Sequence, residues 1–403
     1  MGNRALTPIF PHAWVVLACL CCAGFARQGP AVATLSIFVE PLIREFGWSR
    51  TALSGAVSLA GVMAAVVSPP IGRLLDRRGS RLVLCVAVLV NAAALALLSL
   101  TPSLLVFYLL YCIARMSWAT AFDLGIYGAI SKWFVARRAL ATSIATMAQM
   151  AGLVAMPLIA QFAIVHHGWR AGWLALGAVT LLVGFLPVWL FLKGEPEPPA
   201  RAGKPEPLFS RAEAVRTPAF WLLMLFTVLV YPVQAGVSLH QAPHLVERGL
   251  DATTAALIVG TFSFMSGVAT FACGFLPRRL PLRFVLALVG VLLVSGVLLL
   301  KRVGSPTEGY VAVSLFGLGI GGVLTLLPLA WADYFGRANY GAIRGLALSA
   351  QVLAQATGPL LSGVLRDFAG DYQVALSVFA VLSGLSVLAA LAAKAPTLAA
   401  GRS

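Results

Sequence analysis

Charged side chains are rare inside the long apolar runs of this chain, and the few that occur there are the first places to look for chemistry. Arg27 lies in GFARQGP, within an apolar run over 12–38. A cation at the centre of a hydrocarbon layer costs at least about 2.5–3.5 kcal/mol on insertion scales, so Arg27 is expected to face a wet cavity or a partner. A guanidinium stays charged and grips a carboxylate through two parallel N–H donors, which suits it to holding an anion. The competing expectation is a structural ion pair with Asp123 or with another helix. Asp123 and Arg115 lie eight residues apart, roughly on one helical face. Asp123 is expected either to take up a proton on burial or to stay ionised beside Arg27 or Arg115. His240 and His244 are i, i+4 with Gln241 between them, and Pro232 and Pro243 interrupt the same run. That spacing can bind a metal, but no third ligand and no HEXXH motif accompanies it, so no metal site is expected.

The elements that must position these groups are membrane spans. The chain is 60% hydrophobic and 11% charged, with a mean hydropathy of +0.92. A soluble domain carries about 25% charged residues and could not cover its surface with this composition. Apolar runs of spanning length fall at about 12–38, 51–72, 81–101, 103–131, 139–165, 171–192, 218–246, 253–277, 282–301, 308–334, 342–366 and 372–393. Between the sixth and seventh lies Lys193–Arg216, with EPEPPARAGKPEP in its middle, too rich in proline and mixed charge to span or to build a core. The expected division is a first half over 1–192, a cytoplasmic linker over 193–216 and a second half over 217–403.

Lysine and arginine set the orientation. With the N-terminus cytoplasmic, twenty of them fall in inside segments and seven in outside ones, so both termini are expected inside. The net charge of +15 is then a matter of topology, and no nucleic-acid partner is expected. His240 and His244, close to Glu247 and Arg248, are expected at the outer mouth of the seventh span, where one binds substrate or a proton or both are solvated. All six cysteines lie in apolar runs without metal-ligand spacing and read as packing residues. The first run continues past Arg27 to Val39 without a small-x-small cleavage site, so it reads as a span rather than a signal peptide.

The second and third runs are joined by Gly72–Arg81, GRLLDRRGSR. Gly72 and Gly79 permit a tight turn. Asp76 can accept from a helix N-terminus or pair with an arginine, and Arg77 and Arg81 mark the loop as cytoplasmic. The halves echo one another: Lys132-Trp-Phe before Arg137-Arg138 is matched by Asp333-Tyr-Phe before Arg337. Gly274–Arg283 is a weaker echo of the basic loop that has lost its acid. Two related six-helix halves place a binding site between them near the bilayer midplane.

The pattern G-x-x-x-D-R-x-G-x-R resembles the signature loop between helices 2 and 3 of the major facilitator superfamily. Trp14, Gly24-Phe25, Pro30, Gly79-Ser-Arg81, Lys132-Trp-Phe, Gly168-Trp-Arg170, Gly358-Pro-Leu-Leu-Ser-Gly363, Asp367 and Tyr372 resemble its monocarboxylate porter and oxalate/formate antiporter branch, over nearly the whole chain. The resemblance implies an all-α membrane protein of twelve transmembrane helices in two pseudo-symmetric six-helix halves, acting as a secondary transporter by alternating access. Monocarboxylate porters carry an aspartate and an arginine in helix 8 and a lysine in helix 1. The matching positions here are Ser266, Thr270 and Ala31, so those cations are missing. Arg27, one turn before Ala31 on the same face, is expected to replace them.

The expected cargo is a small organic anion, a monocarboxylate first, moved by proton symport or in exchange for a counter-anion. Arg27 would bind it, with Trp118, Tyr127, Ser266, Thr270 and Gln355 lining the path. Asp123, His240 and His244 are the proton-coupling candidates, and Gly72, Asp76, Arg77, Gly79 and Arg81 form the gating loop. There is no nucleotide-binding loop, catalytic triad or metal cluster in the sequence, so no cofactor and no enzymatic step are expected, and gradients supply the driving force. The expected setting is a bacterial inner membrane, with the chain monomeric in the lipid bilayer. Two alternatives stay open. A proton-coupled exporter of amphipathic compounds would account for the absent helix-8 arginine. A non-transporting membrane sensor would need a sizeable soluble domain.

Overall fold

The computed structural model describes residues 10–134, 137–192, 209–275 and 280–396. Arg4, most of the linker, Arg278 and Arg279 of the loop echo, and Arg402 lie outside them. The described residues form α1 (Phe10–Ala26), α2 (Val32–Phe46), α3 (Arg50–Leu98), α4 (Leu104–Ala119), α5 (Ala121–Trp133), α6 (Arg138–Val179), a π-helical turn (Thr180–Phe185), α7 (Leu186–Phe191), α8 (Arg211–Val215), α9 (Pro218–Glu247), α10 (Ala252–Cys273), α11 (Leu282–Arg302), α12 (Pro306–Phe335), α13 (Tyr340–Ala369) and α14 (Gln373–Ala392). Among the described residues there is no strand.

Two apolar helical stretches, Gly55–Leu98 and Arg138–Phe191, are 44 and 54 residues long. A hydrocarbon core about 30 Å thick needs about 20 residues at 1.5 Å each, so each stretch carries two spans. The joints are Gly79 and Gly168, both at φ 81°, where a side chain would be strained. Two other expected spans are themselves broken. The first, expected over 12–38, becomes α1 and α2 and runs on to Phe46, with residues 27–31 outside both helices. Pro30 has no N–H to continue the ladder, and Gly29 before it favours a turn. The fourth, expected over 103–131, divides into α4 and α5 at Thr120, which sits at φ −115°, ψ −79°. Part of the expected linker is also ordered: Ser210 and Glu213 close a capping box that starts α8.

The chain forms two compact units. The first comprises 1–64 and 73–202, the second 65–72 and 203–403. In the first, α1 and α2 pack along α6, and α1 also meets the π-helical turn, α7 and α5. In the second, α9 lies between α13 and α14, α11 between α12 and α14, and α10 against α12. All six cysteines are free thiols.

The core of the first unit is aromatic. Phe38 and Trp173 stack at 3.8 Å between centroids, 15° from parallel, both fully buried. Trp169 Nε1 donates to Glu45, which also pairs with Arg170 at 2.7 Å. Trp173 Nε1 has no acceptor, so its contribution is packing alone. Trp173→Ala is therefore expected to lower stability by about 3–5 kcal/mol. Trp173→Phe, which restores most of the volume and loses no hydrogen bond, is expected to recover most of that. Thermal unfolding in detergent checks this ordering; equal destabilisation by the two variants would contradict it.

Candidate functional site

The break between α1 and α2 is held open by side chains. Tyr111 OH donates to Pro30 O at 3.0 Å, and Thr34 Oγ1 donates to Gln28 O at 3.0 Å. The first gives Pro30 O a donor inside an apolar layer, and the second adds to the Ala31 N–H that Gln28 O already accepts at 3.1 Å. Arg27 is the first residue of the break and is 5% exposed. It projects from an irregular stretch of backbone inside the unit rather than from the middle of a regular helix.

Four groups converge there. Trp118 Nε1 donates to Gln28 Oε1 at 3.0 Å, which fixes the indole plane against the break. Both arginines use that plane: Arg115 Cζ lies 3.7 Å and Arg27 Cζ 4.8 Å from the ring centroid. The two guanidiniums are thus brought together by one indole, an arrangement that cation–π attraction favours in a desolvated setting. Arg27 Nη1 stands 3.9 Å from Asp123 Oδ2, with side chains 6% and 12% exposed. Of the two partners that the sequence offers Asp123, Arg27 is the one it meets. Arg115 finds no carboxylate among the described residues, and its buried Nη1 has no hydrogen-bond partner.

One turn beyond Asp123, Tyr127 carries a short polar chain. Gln149 Nε2 donates to Tyr127 OH at 3.1 Å, and Tyr127 OH and Thr146 Oγ1 are 3.0 Å apart. Thr146 Oγ1 in turn donates to Thr142 O at 2.9 Å. Arg27, Trp118, Asp123 and Tyr127 therefore occupy one region of the first unit. Arg115 is the group that the sequence reading left out of the site. Its signal was present, since an arginine three residues before a tryptophan shares a helix face with it.

The remaining site residues lie in the second unit. Thr270 is fully buried and its Oγ1 donates to Gly321 O at 3.3 Å, while Ser266, 3% exposed, packs its backbone against the same glycine. Both belong to the α10–α12 contact, where helices pack closely. Gln355 Nε2 donates to Gln234 Oε1 at 3.1 Å, tying α13 to α9. Arg344 Nη2 donates to Gln351 Oε1 at 2.8 Å. His244 is not solvated: it is 2% exposed and bonds Leu300 O through Nε2 at 2.9 Å. His240 is half-buried, with Nδ1 3.2 Å from Gly236 O.

In the basic loop, Gly79 makes the turn, and Arg77 and Arg81 are exposed. Arg81 Nη2 donates to Trp189 O at 3.0 Å with its Cζ 5.7 Å from that ring, fastening the start of the third span to the end of the sixth. Asp76 is partly buried.

Comparison with known proteins places these groups in context. A sequence model of the Major Facilitator Superfamily matches residues 16–354 and 243–402. Monocarboxylate transporter 11 of Homo sapiens is 31% identical over 396 residues, covering 92% of this chain and 81% of that protein. The uncharacterized MFS-type transporter YcxA of Bacillus subtilis (strain 168) is 24% identical over 377 residues, covering 88% and 89%. The crystal structure of the human organic anion transporter MFSD10 superimposes with a TM-score of 0.73 at 17% identity, covering 95% of this chain and all of that one.

Proposed function

The chain belongs to the major facilitator superfamily, and from that premise we propose that it carries small organic anions, monocarboxylates first, gripped by Arg27 and Arg115 beside Trp118. The observation that carries the reading is a charge imbalance. Two guanidiniums share a half-buried indole, one carboxylate faces one of them, and the second has an orphaned Nη1. An uncompensated buried charge is costly, and a carboxylate that arrives with two acceptor oxygens removes the cost. The same geometry explains how the missing helix-8 and helix-1 cations are replaced: the positive charge has moved to the helix-1 break and to helix 4.

Asp123 supplies the coupling. Its contact with Arg27 at 3.9 Å is too long for a hydrogen bond, so a substrate carboxylate can take the guanidinium from it. An aspartate that loses its cation in an apolar setting gains a proton instead. Substrate and proton then load together, and the halves alternate access to the two sides around them. Exchange against a counter-anion uses the same site without the proton. The lysine and arginine bias supports cytoplasmic termini, and the setting we propose is a bacterial inner membrane.

Proteoliposome uptake of a panel of labelled carboxylates, with and without an imposed pH gradient, tests the proposal. Uptake of at least one acid, stimulated by an inward proton gradient, is the expected result. Failure of every acid would overturn it in favour of export of amphipathic compounds.

The basic loop has its own expected effect. Asp76→Asn is expected to shift the resting population toward inward opening, because the acid would no longer hold the cytoplasmic side closed. Cysteine accessibility labelling from each side reads this out; an unchanged labelling pattern would contradict it.

A further inference from the structure

The second unit contains a small pocket, with room for about one water-sized group, near the end of α9 that leads to Arg248. His240, Gln241 and His244 of α9 line it with Leu300, Ser362 and Tyr372. The hydrogen bonds around it settle the tautomers. His240 Nδ1 is 3.2 Å from Gly236 O and His244 Nε2 is 2.9 Å from Leu300 O. A carbonyl oxygen only accepts, so the proton of each neutral imidazole sits on the nitrogen facing it. His240 Nε2 and His244 Nδ1 are then lone pairs. Both rings abut the same side chain, with centroids 5.2 and 6.1 Å from that of Tyr372. Gln241, between them in sequence and 2% exposed, has a buried Oε1 that meets no donor.

The wall of the cavity is therefore rich in acceptors, and its complement is a cation rather than an anion. A histidine whose second nitrogen is tied to a backbone carbonyl is in the state that metal-ligating histidines adopt. Of the charges that bear on His244, Arg248 opposes a cation while Glu247 and Asp371 favour one. Arg366 pairs with Glu247 at 3.0 Å and Asp367 at 3.8 Å, and Arg248 Nε donates to Val303 O at 2.7 Å. Among the described residues no third histidine, cysteine or carboxylate joins the pair, so the third protein donor is a carboxamide oxygen.

We propose that His240 Nε2, His244 Nδ1 and Gln241 Oε1 form a site for a divalent transition-metal cation of borderline softness, with water completing the coordination. Zn²⁺ is the closed-shell probe and Co²⁺ its visible-absorbing counterpart. The site is separate from the arginine cluster and does not depend on which anion the protein carries.

The test is titration of tag-free, full-length protein in detergent. The wild type is expected to bind one equivalent of Zn²⁺, to show ligand-field absorption with Co²⁺, and to gain thermal stability as Zn²⁺ rises. His240→Ala and His244→Ala are each expected to weaken binding at least about tenfold, and Gln241→Leu by less. His244 also holds α9 to Leu300, so His244→Ala risks misfolding. His240→Ala loses a bond within its own helix and a ring contact with Tyr372, and carries the decision. Undiminished Zn²⁺ affinity in His240→Ala would show an adventitious surface ion and overturn the proposal. So would a wild type that neither binds Zn²⁺ nor gains stability from it.

Discussion

Arg27→Gln is expected to reduce anion uptake about a hundredfold while leaving folded protein in the membrane. Hydrogen bonds to a charged group contribute about 1.5–3 kcal/mol each. Loss of a bidentate contact of about 3 kcal/mol corresponds to two factors of ten. The fold is expected to survive because Gln keeps donors at the break. Arg27→Lys is expected to recover only part of the loss, since an ammonium offers a point charge without the planar fork. Arg115→Gln separates two explanations. If surplus positive charge draws the anion in, its removal weakens uptake to a comparable degree although the Arg27–Asp123 pair is intact. A silent Arg115→Gln would sink the charge-imbalance argument, and unchanged kinetics in Arg27→Gln would sink the site itself. Both are read as kcat/KM for labelled acid in proteoliposomes, with protein amount and Tm measured alongside.

Asp123→Asn is expected to make uptake indifferent to the proton gradient. With the carboxylate gone, residue 123 neither competes with substrate for Arg27 nor takes up a proton as substrate binds. Anion affinity is expected to rise and acceleration by an inward pH gradient to disappear. The measurement is uptake across a series of external pH values, wild type beside variant. Identical profiles would show that coupling resides elsewhere.

The architecture was legible because lipid imposes a strong constraint on sequence. A run of about 20 apolar residues has few uses other than spanning, and a short basic segment between two such runs has few uses other than joining them; of its two glycines Gly79 makes the turn, while Gly72 stays helical in α3. Family membership followed from loop motifs for the same reason. The site was only half legible. Arg27 and Asp123 could be marked from the cost of burying charge, which is a property of single residues. Their pairing stands among the alternatives that the sequence offers, and what the sequence lacks is the geometry that selects it: where α1 breaks and how α4 and α5 are offset at Thr120. Arg115 depends on the same offset, since an eight-residue spacing puts it on the face of Asp123 only along one continuous helix. Ser266 and Thr270, at positions where the resembling porters carry charge, meet α12 closely at Gly321, a packing detail that sequence spacing does not carry.

The break at residues 27–31 also bears on how the chain is made. The ribosome delivers α1 with Arg27 at its end well before it delivers Asp123, and the indole that flanks Arg27 arrives only with the fourth span. The aromatic partner of Phe38 in α2 emerges later still, at Trp173. The first span therefore enters the membrane carrying a charge and a break whose partners do not yet exist. Until those helices arrive, that span bears the cost of a cation in lipid, at least about 2.5–3.5 kcal/mol, which the later spans of the same unit relieve.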